Sequence, residues 1–91
     1  MSTQAIVHPD DLHRFAEQLA HYRNDLESST AKLKAQFSTL GDTWRDLERE
    51  RFEREFEETV KVINHFISIA DEHIPFLHRK AERAQEYLDQ R

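Results

Sequence analysis

Cysteine is absent from this 91-residue sequence, glycine occurs once and proline twice. Without cysteine there is no disulfide, no thiolate nucleophile and no cysteine-ligated zinc, and the redox compartment stays open. A single glycine, Gly41, is too few for the phosphate-cradling loops of P-loop and dinucleotide-binding folds, or for the repeated tight reversals of a β-sheet protein. Long apolar runs are missing as well, and none approaches the ~18 to 20 residues of a membrane span. The opening residues lack the basic and apolar regions of a signal peptide. A soluble cytoplasmic protein is expected, and export, if it occurs, is expected to need no cleaved leader. Thirteen Lys and Arg stand against eighteen Asp and Glu, a net charge of −5, so a nucleic-acid-binding surface is not expected.

What is present reads as helix. From Leu12 the apolar residues recur at Phe15, Leu19, Tyr22, Leu26, Leu33, Phe37 and Leu40, in steps of three and four broken only around Ser29 and Thr30. Pro9 suits a first helical position, and Asp10 and Asp11 place negative charge at the positive end of the helix dipole. Gly41 follows the last seam residue, where a glycine usually takes the left-handed conformation that closes a helix, and that conformation is expected here. Asp42, Thr43 and Asp46 then offer caps for a second helix. Its seam is longer, running through Phe52, Phe56, Val60, Ile63, Ile67, Ala70, Ile74, Leu77, Ala81, Ala84 and Leu88. The spacing predicts one all-α domain over residues 1–91, an antiparallel helix-turn-helix hairpin with helix 1 at about 9–40, a turn at 41–45 and helix 2 at about 46–89. Pro75 removes a backbone donor inside the second helix and is expected to kink it, the alternative being a third helix starting there.

A second apolar row, Val62, Phe66, Ile69, His73 and Phe76, steps at the same spacing on a different face of helix 2. One partner helix cannot cover both faces. Only 37% of the residues are hydrophobic and 34% are charged, a thin basis for a self-contained core. Two hairpins forming a four-helix bundle are therefore expected, with the second row as the dimer or partner interface.

The turn carries the one tryptophan. Leu40, Gly41, Trp44, Asp46, Phe52 and Phe56 place an indole in the reversal, a capping residue two later and aromatics eight and twelve later. This arrangement, in a hairpin of this length, resembles the WXG family, the early-secreted-antigen-like proteins handled by type VII secretion systems. The resemblance implies a helical hairpin that forms homodimers or heterodimers, and a role as secretion substrate, as co-secreted partner of a membrane ATPase machine, or as escort of a larger toxin. Its partners would be a second copy, a paralogous hairpin, a secreted effector or an FtsK-like ATPase. Asp46 stands where the family has glycine. Arg91 stands four residues after Tyr87, where the family's export signal has an acid, so a bipartite signal would draw its tail from a partner chain.

Three chemical readings carry less. The six histidines include no Glu-x-x-His pair of the kind that di-iron bundles use, and His73 and His78 are five apart, so rim histidines without metal are expected. His73 interrupts the second apolar row, where protonation would oppose dimerisation. Residues 42–58 hold eight acids and four arginines, and Arg49, Arg51 and Arg54 fall at spacings that suit solvated helix ion pairs. Inward seam positions hold no ionisable side chain, so no catalytic pocket, cofactor or enzymatic activity is expected. The sequence predicts a protein that works by association, with a cytoplasmic structural or adaptor bundle unrelated to secretion as the alternative.

Overall fold

The computed structural model describes residues 7–90, which form two helices, α1 at Pro9–Leu40 and α2 at Leu47–Asp89. Arg91, the residue set against the export signal, lies outside the described residues. Pro9, which has no amide hydrogen to leave unpaired, opens α1; the Asp11 and Leu12 amides donate to the His8 carbonyl, Asp10 and Asp11 place negative charge at the positive end of the helix dipole, and no side chain caps the end. At α2 the cap is explicit: Asp46 is extended at φ −114°, ψ −176°, and its carboxylate accepts a hydrogen bond from the Arg49 amide at 3.0 Å. α2 continues unbroken through Pro75, so the third-helix alternative does not hold. Pro75 itself is exposed while Ile74 and Leu77 beside it are partly buried, and that burial holds the segment helical across one missing backbone bond.

The two helices lie antiparallel and in register, with His13 against His78, Arg23 against Asp71 and Phe37 against Phe56. The molecule measures 67 × 27 × 15 Å. Fifteen ångströms is little more than one helix diameter, ~10 to 12 Å, so the described helices form a single layer, with neither broad face covered by another described element. Burial follows from that shape. Only Ala16, Val60, Ile67, Ala70 and Ala81 form a buried apolar core, and no large side chain is fully buried among the described residues.

Gly41 does not take the left-handed conformation expected of it. Its φ is −61° and ψ −16°, ordinary right-handed geometry. The chain leaves α1 through successive short-range bonds, from the amides of Gly41 to Ser38, Asp42 to Thr39, and Thr43 and Trp44 to Leu40, which satisfy the terminal carbonyls without a left-handed residue. Space is what the glycine supplies. A Cβ at this position would stand 2.6 Å from a terminal guanidinium nitrogen of Arg49 and 3.2 Å from the Ser38 carbonyl oxygen.

Candidate functional site

At the turn end Phe37 reaches from α1 into the aromatics of α2 and of the turn. Its ring centroid lies 5.4 Å from that of Phe52, 5.7 Å from Phe56 and 6.4 Å, edge-on, from Trp44, while Phe52 and Phe56 stack on each other at 5.7 Å. Such spacings are those of favourable aromatic pairs. The guanidinium of Arg49 lies 4.5 Å over the Phe37 ring and pairs with Glu53 at 3.4 Å. With its side chain only 18% exposed and its Nε buried without a partner, Arg49 corrects the reading of the arginines in this run as wholly solvated. Phe52, Phe56, Phe37, Trp44, Leu33 and Leu40 line an open apolar groove of about 320 Å³. The turn motif read from the sequence is therefore assembled in one place, with Asp46 at its edge as the cap of α2. Phe37 and Arg49 were absent from that motif. Phe37 was legible as the seam residue one turn before Leu40; nothing in the sequence distinguished Arg49 from its charged neighbours.

The second apolar row divides. Phe66 is partly buried and meets the Tyr22 ring of α1 edge-on at 5.8 Å, so it packs within the hairpin. Val62 is 69% exposed, Phe76 47% and Ile69 37%, and exposed His73 stands edge-on to Phe76 at 6.3 Å. Among the described residues these four stay exposed, Val62 the most and Ile69 only marginally.

Ionisable groups also join the two helices, an exposed pair at Arg23 and Asp71 and a partly buried one at His13 and His78. Midway along, Arg23 Nε donates to Asp71 Oδ1 at 2.7 Å and a terminal nitrogen donates to Oδ2 at 3.2 Å, while its other terminal nitrogen reaches Glu27 at 2.7 Å. This fork is the geometry in which guanidinium and carboxylate match best. The hydrogen bonds from Arg23 hold the Asp71 carboxyl below the usual carboxylate range, and those to Asp71 and then Glu27 push Arg23 further up. Near the open end His13 and His78 meet at 2.6 Å between their Nδ1 atoms, rings tilted by 31°. Neither contact could be found by periodicity, because each joins residues that are nearly 50 or more positions apart. No group of three or more histidines, aspartates and glutamates is placed to hold a metal ion among the described residues, and no helix there is long and apolar enough to cross a membrane.

Two long helices side by side, closed by an aromatic turn, define a helical hairpin. The same fold occurs in the secreted protein EsxB from Bacillus anthracis str. Sterne. A proline-to-alanine variant of EsxB superimposes with a TM-score of 0.78 at 20% identity, over 89% of this chain and 94% of that one. The selenomethionine-labelled form gives 0.74 at 20% identity over 96% and 98%, and a glycine-to-alanine variant 0.74 at 20% over 94% and 98%. The likeness spans both chains almost end to end, so the fold implied by the WXG resemblance is the fold observed. No protein-family model matches the sequence, and no curated protein sequence matches it either.

Proposed function

We propose that this protein is a dimerising hairpin of a type VII secretion pathway, acting as substrate, co-secreted partner or escort of a larger effector, and that it works by association alone. The observation that carries the reading is the apolar row Val62, Ile69 and Phe76 left open on a hairpin one helix thick. Exposed apolar surface of this kind marks an interaction site. Two hairpins laid face to face would cover it and form a four-helix bundle. The link to secretion is supported by the whole-length likeness to secreted EsxB and by the Trp44 turn. In this reading the aromatic groove at the turn is the second contact surface, open to an effector or to an ATPase.

Sedimentation at low micromolar concentration tests the association. The wild type is expected to sediment as a dimer, and Val62→Asp/Ile69→Asp as a helical monomer or an unfolded chain. A stably folded wild-type monomer at that concentration refutes the dimer. Purification from the host with bound partners then separates self-association from a paralogous hairpin.

A further inference from the structure

Two imidazoles that share one hydrogen bond across a helix seam have a protonation limit set by their own donor inventory. His13 on α1 and His78 on α2 face each other at 2.6 Å between Nδ1 atoms, and both are partly buried. For that contact to be a hydrogen bond one Nδ1 carries a proton and the other presents a lone pair. The helices can come this close because Ala16 and Ala81, one turn along from the two histidines, are both 0% exposed and hold only methyl groups in the interface. The pair accepts one additional proton at an Nε2 and keeps its bond, now charge-assisted. With both rings fully protonated there is no acceptor left, and two cations stand at contact distance.

The surroundings do not relieve that repulsion directly. Asp10 of α1 and Glu82 and Glu86 of α2 line the groove beside His13, yet neither ring forms an ion pair with a carboxylate among the described residues. Arg14, the cation nearest to His13 in sequence, is engaged with Asp11 at 2.8 Å. Neighbouring packing is lighter here than at the turn: the aromatic cluster and the Arg23–Asp71 fork both lie toward the turn, and Leu12 and Leu77, next to the two histidines in sequence, are only partly buried.

We propose that His13 and His78 form an acid-sensitive latch that holds the open end of the hairpin closed near neutral pH and releases the N-terminal turns of α1 from the C-terminal turns of α2 on acidification. The latch is independent of the secretion reading, since it requires only the hairpin. Release requires the second ring to be protonated as well, because the singly charged pair keeps its bond.

Amide hydrogen exchange of the full chain at pH about 7.5 and about 5.5, corrected for intrinsic rates, tests this. In the wild type, protection of the first three turns of α1 and the last three of α2 is expected to fall about tenfold or more at the lower pH, while protection around Phe37 and Phe56 holds. In His13→Leu/His78→Leu, which replaces the pair by apolar side chains, end protection is expected to be the same at both pH values. Unchanged wild-type protection at the open end overturns the latch. So does a loss spread evenly along both helices, or an equal loss in the double variant. An additional imidazole nitrogen-15 titration detects the pair directly: shifts of His13 and His78 that are independent of each other, unaltered when the partner ring is replaced, also overturn it.

Discussion

The two ends of this hairpin are closed by different chemistry. At the turn, Phe37 gathers Trp44, Phe52 and Phe56 within 6.4 Å of its ring, and Arg49 covers it. At the open end the helices meet over Ala16, Ala81, the partly buried Leu12 and Leu77, and one imidazole pair. The first closure rests on apolar area and ring geometry, which do not change with pH. The second adds one hydrogen bond between titratable groups to a thinner apolar seam. A covalent connection already holds the turn together, yet the stronger packing is placed there, so opening is expected to begin where chain connectivity helps least and to proceed toward Trp44.

That contrast can be broken most forcefully at its hub. Phe37→Ala removes the ring that joins α1 to both α2 aromatics and to the indole, and is expected to cost about 2 to 3 kcal/mol, below the ~3 to 5 kcal/mol of a core aromatic truncation because the site is only partly buried. Denaturant unfolding measures it, and a loss below about 1 kcal/mol would erase the distinction between the ends. A finer test concerns why a glycine stands at the turn. In an Arg49→Ala background, Gly41→Ala is expected to stabilise by about 0.5 to 1 kcal/mol, because alanine tolerates the right-handed conformation and restricts the unfolded chain. With Arg49 present the gain should vanish, since the new methyl displaces the guanidinium. Equal effects in both backgrounds would assign the glycine to something other than space.

The smallest effect is expected at the midpoint. Exposed ion pairs contribute little at neutral pH, so Asp71→Asn should leave the unfolding midpoint there nearly unchanged. Because Asp71 is held below its usual range in the folded state, its contribution is present above the ordinary carboxylate value of ~3.9 and is lost as the pH falls through the lower folded value. Arg23 stays charged throughout. Acid titration of stability should therefore show a component below pH about 4 in the wild type that Asp71→Asn lacks. Asp71→Asn removes this component without altering the imidazole pair, so the two interhelical contacts can be told apart by variant in one pH series.

Much of the site was legible in the chain because helical periodicity is a local property. The seams from Leu12 to Leu40 and from Phe52 to Leu88, the tryptophan between them and Asp46 as a cap all follow from spacings of three, four and a few residues. The misreadings share one cause. Gly41 was assigned a left-handed conformation from its position alone, whereas the atoms that require its missing side chain belong to Arg49, eight residues away on the next helix. Phe66 counted as an outward residue until Tyr22 of α1 was placed beside it. His13 and His78 read as separate rim residues because nothing in either neighbourhood points to the other.

By itself the sequence determined two long amphipathic helices, one tight reversal and more apolar face than a single hairpin can bury. Propensity, capping and periodicity act over a few residues, and they are written in order along the chain. The tertiary structure alone decided the register between the helices, and with it which partners meet: Phe37 with Phe56, Arg23 with Asp71, His13 with His78. Register depends on fitting ridges of one helix into grooves of the other over their whole length, and that fit is a property of the pair that neither helix carries alone.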